Sequence, residues 1–317
     1  MIFGRVLAIV LSLFFVPTTK TAAQENKDLF YAQPANTGLY LGLLYIDSDN
    51  SVLVGMQKLY LLNKQRLFVD SLNLAGKDNS YLANVYHATI TEKNLLSVST
   101  LQRALLIEVR ENKFHIKKAV LNSDMQKKLG KFDLFILFKD GLLARSSKGK
   151  SQAHHFFIES GSTGYLPASS KNITPERPRV TDFKGSEIFG FSDYQTNGKS
   201  IYIFQRKQNM LWKYEPATDV VKEIALPAVK IHNEANEFFL DPHTGKRYLF
   251  SFSSDDRNKV FEFSDDDSAF REVAQTKYMV RGVFSGKLYI SGVFDGTVAH
   301  YLIPLNYQNQ ELLFIDR

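Results

Sequence analysis

Cysteine is absent from the 317 residues, so no disulfide framework and no thiolate chemistry are open to the chain. Tryptophan occurs once and proline nine times. The longest apolar run, Val6 to Val16, is about half of the roughly 20 residues that a membrane-spanning helix needs. Sustained 3.6-residue periodicity is also scarce: Asp124 to Asp133, "DMQKKLGKFD", has room for one helical turn. No Gly-x-Ser-x-Gly elbow marks a nucleophile, and no Ser-x-Asp-x-Gly-x-Thr-Trp box of the sialidase type occurs. The histidines show no His-x-x-x-His or His-x-His spacing, whereas a zinc site needs three or four converging ligands. Without those signatures the sequence does not declare an enzyme class, and no cofactor or metal is expected.

The first residues carry an address. Arg5 precedes the apolar run, and Thr21-Ala22-Ala23 then stand before Gln24. A basic start, an apolar segment and small residues at −3 and −1 read as a secretory signal peptide over residues 1–23, cleaved after Ala23. A membrane anchor is the competing reading, and the run is too short for it. The expected location is secreted or periplasmic, with no integral membrane segment after cleavage. The formal charge is +6; without Arg5 and Lys20, 37 basic residues face 33 acidic ones, a formal +4. That mild, dispersed excess carries no nucleic-acid footprint. Residues 24–317 are long enough to hold one core without staples, since a domain of about 300 residues buries about three quarters of its unfolded surface.

What the chain does have is aromatic and β-branched sequence. It holds 25 Phe and 15 Tyr, types suited to a pleated, half-buried surface. Short alternating segments such as "SIYIF", "KVFEF" and "KLYISGVF" are bounded by Gly, Asn, Asp and Lys, as strands are. They recur. From Gly198, Gly245 and Gly286 the chain reads Gly-Lys, strand, polar turn, strand with Tyr or Phe, polar turn, strand, each unit preceded by an apolar segment ("SEIFGFS", "NEFFLD", "YMVRGVFS"). Three fainter copies precede them, giving six units between about Thr37 and Ile315. Four strands repeating at this period form a propeller blade. The expected fold is all-β: a single β-propeller domain over 24–317 with six four-stranded blades. The proline-bearing stretch Gly161 to Lys184 reads as a long inter-blade loop, and leaves room for a seventh blade. The ring should close where the two ends of the chain share a blade, with "DLFYAQ" (Asp28 to Gln33) and "ELLFIDR" (Glu311 to Arg317) as candidates.

Within this pattern, "NEFFLDPHTGKRYLFSFSSDDRNKVFEFS" resembles the repeat of six-bladed, TolB-like propellers: an apolar strand, an Asp-containing turn, Gly-Lys-Arg, and a strand ending in Ser. "LWKYEPATDVVKEIALP" is similar to the outer two strands of many propellers, where an aromatic precedes an acid-Pro-x-Thr turn. The resemblance covers the last three units. It implies a binding platform, in a family some of whose members sit beside a catalytic domain.

The candidate site residues mostly read as turns. Asp241, Pro242, Thr244 and Gly245 are turn formers, which leaves His243 as an exposed turn residue. Of His154 and His155, adjacent in a strand, one should face solvent and the other pack. "DSDNS" (Asp47 to Ser51) lacks the downstream Glu and the Gly of a calcium loop and reads as a bare turn. "SDDDS" (Ser264 to Ser268) reads as a solvated turn. Glu187, Asp193, Glu234 and Glu237 lie near expected inner strands, the first places to look for a glycosidase carboxylate pair. Arg206 and Lys207 with Trp212 and Tyr214 offer either a cation-and-aromatic surface or a hairpin with a basic turn and a core-facing Trp. Arg177 and Arg179 lie in the long loop, the expected partner contact. Two functions stay open: an exported binding or interaction module for a protein, peptide or glycan at a bacterial-type cell envelope, or a carbohydrate-active hydrolase using channel carboxylates.

Overall fold

The structure is a computed structural model. It describes residues 28–32, 40–47, 49–64, 67–75, 81–130, 132–148, 151–160, 164–167, 173, 194–205, 209–227, 236–251, 258–276, 279–294 and 297–305. The expected signal peptide, residues 1–23, and the candidate closing segment 311–317 lie outside these.

Twenty-four strands are described, with one helix, α1 (Asn122–Leu129), and a 3-10 turn at Tyr81–Ala83. The first strand is β1 (Asp28–Ala32). The first sheet holds β2 (Tyr40–Tyr45), β3 (Ser51–Gly55), β4 (Lys58–Leu62) and β5 (Phe68–Asn73). The second holds β6 (Val85–Glu92), β7 (Leu95–Thr100), β8 (Arg103–Arg110) and β9 (Lys113–Leu121). The third holds β10 (Leu134–Leu137), β11 (Gly141–Lys148), β12 (Ser151–Ser160) and β13 (Gly164–Pro167). The fourth holds β14 (Tyr194–Thr196), β15 (Ile201–Gln205), β16 (Met210–Glu215) and β17 (Val220–Ile224). The fifth holds β18 (Glu237–Leu240), β19 (Arg247–Ser251), β20 (Asn258–Phe263) and β21 (Phe270–Thr276). The sixth takes β22 (Met279–Phe284), β23 (Lys287–Phe294) and β24 (Thr297–Pro304), and its fourth place is filled by β1.

These are six antiparallel four-stranded sheets, and the chain is a β-propeller. Closure follows the expectation for the N-terminal candidate. Asp28 pairs with Leu302 and Ala32 with Ala299, so the N-terminal strand docks on β24. Two other expectations change. Residues 164–167, placed in a loop by their Gly and Pro content, form β13 because they pair with the far end of the long strand β12. The helical turn near Asp124 is two turns long, held by the burial of Asn122 and Met125 on one side.

Alternation explains the ring. Ile201 and Ile203 belong to the apolar cluster shared with the third sheet, whereas Tyr202 and Phe204 belong to the one shared with the fifth. Val52 and Val54 face the second sheet while Leu53 faces the sixth. Six clusters result, one at each junction between successive sheets, and the cluster of Leu43, Tyr45, Leu53 and Leu62 with Phe284 and Tyr289 joins the first sheet to the last. Tyr202, Tyr248 and Phe238 are at most 1% exposed, and each such side chain contributes about 1.5–3 kcal/mol by leaving water. Outer strands are less covered: β17 is exposed from Val220 to Glu223. The repeated Gly-Lys has a backbone cause. Gly198, Gly245 and Gly286 have φ of 83°, 70° and 73°, the left-handed conformation that favours Gly in tight turns.

The inner strands need a further device, because no strand pairs with their axial edge. Side chains from neighbouring sheets supply it. On β10, the Leu137 N–H donates to the Ser97 hydroxyl at 3.0 Å, and Ser99 donates to the Phe135 carbonyl. On β18, the Gln195 amide donates to the Phe238 carbonyl and accepts from the Leu240 N–H. Because β7 holds its edge, β10 packs on β7 and β8, and β14 packs directly against β6. Five inner strands therefore surround the axis, with β10 set outward.

Gln195→Ala leaves a buried carbonyl and a buried N–H unmatched, at about 1–3 kcal/mol for each unsatisfied group. The urea midpoint should fall accordingly, and a midpoint equal to that of the unmodified chain refutes this role.

Candidate functional site

The axial cavity is the first place to look for chemistry. Its walls come from β2, β6, β14, β18 and β22, with Leu43, Tyr45, Ile90, Phe239, Leu240 and Val283 among them, and its volume is about 70 Å³. A water needs about 10–15 Å³ of such space, so several waters fit. Thr89, Gln195 and Thr196 are its polar side chains apart from the tyrosines, and Gln195 is already committed to β18. No carboxylate lines it among the described residues. Glu237 opens β18, half-buried and away from that lining. Glu187, Asp193 and Glu234 lie outside the described residues.

The turn residues do more than bend the chain. Asp241 is fully buried. One carboxylate oxygen accepts the His243 N–H at 3.0 Å, while the other accepts the Gly286 N–H of the next sheet, also at 3.0 Å. It thus bonds the fifth sheet to the sixth. His243 is exposed, as expected, with its ring edge against Phe284 at 4.7 Å. In the first sheet, the Asp47 carboxylate accepts the Asp49 and Asn50 N–H groups at 2.7 and 2.6 Å, as a bare turn requires.

"SDDDS" needs a correction. Asp266 is exposed, and the Ser264 and Ser268 hydroxyls hold its carboxyl well below the usual carboxylate range. Asp267, however, is 4% exposed and pairs with Arg247, with Lys213 at 3.5 Å. A left-handed backbone at Asp267 (φ 60°) turns that one side chain inward. Like-charge repulsion drives the other two carboxylates out, and two cations draw this one in.

The basic and aromatic candidates separate. Trp212 is buried at the junction of the third and fourth sheets, and its indole N–H donates to Gln205 at 3.1 Å. Tyr214 is fully buried and donates to Asp219 at 3.3 Å. Both rings sit in the core and are not presented to a ligand, because β16 is covered by sheets on both sides. Arg206, Lys207, Arg177 and Arg179 lie outside the described residues.

One polar cluster was not legible in the sequence. His87 on β6, Arg145 on β11, His154 on β12 and Tyr194 on β14 meet where β14 packs on β6. His154 Nε2 is 2.9 Å from the Tyr194 hydroxyl, and the His87 ring stands edge-on to Tyr194 at 5.1 Å. Arg145 donates to the Tyr86 hydroxyl at 3.0 Å and to Asp133 at 3.3 Å. Burial, then the Arg145 charge, lowers both histidines from the ordinary 6.5 to about 3. Burial works against the Arg145 charge, but Tyr194, Asp133 and Tyr86 outweigh it and raise its pKa. His155, the adjacent residue, is half-buried with its ring edge near Phe132. No group of three His, Asp or Glu side chains converges among the described residues.

The rim offers a surface. Within each antiparallel sheet the second-to-third turn and the crossover to the next sheet leave at one end, and the remaining hairpins leave at the other. At the crossover end of the first two sheets, Met56, Leu82, Leu101 and Leu121 are 40%, 36%, 46% and 47% exposed. Their backbones are linked: the Val85 N–H donates to Met56, Gln102 to Leu82, and Asn122 to Gln102, over 2.6–3.1 Å. Four large apolar side chains thus stand exposed along one backbone-linked row.

No protein-family model matches the chain, and no curated protein matches it. Among solved structures it is similar to the major allergen Mala s 1 of Malassezia sympodialis, at 10% identity over 86% of this chain and 94% of that one, TM-score 0.53. It is similar to the WD40 repeats of RRP9, at 6% identity over 87% and 99%, TM-score 0.50. A TolB-assigned structure from Agrobacterium tumefaciens aligns at 10% identity over 84% and 90%, TM-score 0.45. The first two likenesses show the propeller fold alone.

The histidine cluster sets an acid limit. The unfolded chain takes up both protons near pH 6.5, whereas the folded chain refuses them until about pH 3, so this stability is complete above 6.5 and drains away as the pH falls toward 3. Urea midpoints measured between pH 7 and 4 should drop more steeply for the unmodified chain than for the double variant His87→Gln, His154→Gln. Parallel slopes refute it.

Proposed function

We propose that the protein is an exported binding module, which holds a protein, peptide or glycan partner at the crossover end of its ring, at a bacterial-type cell envelope. The exposed row of Met56, Leu82, Leu101 and Leu121 carries this reading. A rigid ring suits the task because it fixes connecting segments that would wander on a softer scaffold. The intervals holding Arg206 and Lys207, and Arg177 and Arg179, also join strands at their crossover ends. The leader pattern in residues 1–23 supports export, and the Asp-Pro-x-Thr-Gly-Lys-Arg repeat supports kinship with TolB-like propellers. The dispersed charge favours a partner other than nucleic acid. No helix among the described residues is long and apolar enough to cross a membrane.

The hydrolase alternative finds little support in an axial space of about 70 Å³ without a carboxylate among the described residues lining it. Paired glycosidase carboxylates need roughly 5–9 Å between them and a sugar in that gap.

Deleting residues 161–184 is not a clean test, since it removes β13 and the buried Ile173. A photo-crosslinking side chain at Leu101, compared with one at exposed Lys199 on the hairpin end, separates the faces directly. Discrete adducts should form from Leu101 in exporting cells and not from Lys199; equal labelling, or none at Leu101, defeats the proposal. The mature chain in the same cells should begin at Gln24 by mass spectrometry, and an intact Met1 defeats export.

A further inference from the structure

The geometry points to an apolar peptide segment with carboxylates on its flanks as the occupant of the Met56–Leu121 row, an inference that rests on the binding-module reading. The row is itself uncharged. Each apolar residue is followed within two positions by an amide: Gln57, Asn84, Gln102 and Asn122. Three of these amide side chains are held by the fold. Gln57 donates to the Asn84 side chain at 2.7 Å, and Asn122 donates to the Thr100 and Leu101 carbonyls at 3.0 Å. The surface is therefore preorganised, with little side-chain entropy left to lose around the leucines.

Its border is cationic. Lys58 lies two residues past Met56, Arg103 two past Leu101, and Lys127 and Lys128 are on α1, which starts directly after Leu121. Asp124 is the acidic residue of that helix and is already paired with Lys127 at 3.5 Å. With Lys127 paired to Asp124, three positive charges remain around the apolar strip: Lys128, Arg103, which donates to the Leu74 carbonyl, and Lys58, which lies over the Tyr60 ring. They select a segment whose leucine-type side chains meet the row and whose acids meet the border. A second copy of the chain fits poorly, because a two-fold contact would bring like borders together. The chain's own last residues, with Glu311 and Asp316, follow β24, whose last residues lie at the hairpin end.

The test uses the full chain and a phage-displayed library of random 12-residue peptides. Enriched peptides should combine two or more large apolar residues with Asp or Glu, and should bind less tightly as salt is raised. Leu101→Ser and Leu121→Ser should each weaken the selected peptide about tenfold, the effect of about 1.4 kcal/mol. Lys127→Glu with Lys128→Glu should favour peptides with Lys or Arg instead. Because these side chains are exposed, the melting temperature should not move, and a lowered one disqualifies the variant in favour of Leu101→Gln. Enriched peptides without carboxylates, or binding indifferent to both leucine changes, overturn the inference, as does a dimer that Leu101→Ser dissolves. Adducts at Leu101 in cells together with non-acidic peptides leave the binding module standing and remove this occupant alone.

Discussion

Ile201 and Ile203 turn toward the third sheet while Tyr202 and Phe204, one position along, turn toward the fifth. The same alternation runs through the middle strands of every sheet whose side chains are described. A sheet that is apolar on both faces cannot rest against one partner, as the two sheets of a sandwich do. It needs a neighbour on each side, and only a closed ring gives every sheet two. Docking of β1 on β24 completes the last sheet with backbone pairing, so the start of the fold is joined to its end.

Closure leaves a second requirement at the axis. Inner strands present backbone groups with no strand beside them, and buried groups of that kind are costly unless paired. Ser97, Ser99 and Gln195 answer it from neighbouring sheets. The serine pair has the larger consequence. By holding the edge of β10 against β7, it moves the third sheet outward and lets β14 close on β6. Five strands then line a narrow axis where six would line a wider one. Among the described residues no carboxylate lines that axis.

The same shift creates the buried seam of His87, His154, Arg145 and Tyr194. Burial, aided by the guanidinium, keeps two imidazoles neutral, and their rings make hydrogen-bonding and aromatic contacts to Tyr194. Arg247, Asp267 and Lys213 form a comparable ionic seam between the fourth and fifth sheets. Buried pairs of this kind add little net stability, because desolvation offsets much of their attraction. Both seams lie at junctions, where one sheet must find a single position against the next.

The sequence by itself determined the strands, their grouping in fours and the places of the tight hairpins, because alternation and positive-φ glycines act over neighbouring residues. Gly198, Gly245 and Gly286 mark their turns from the sequence alone. Only the tertiary structure decided that Asp267 turns inward while Asp266 stays in water, that Trp212 and Tyr214 serve the core, and that residues 164–167 complete a sheet. It also decided that Leu101 and Leu121, ordinary apolar residues in sequence, stand exposed in one row. Burial and charge pairing depend on which sheet lies opposite, and no local pattern in this chain specifies that neighbour.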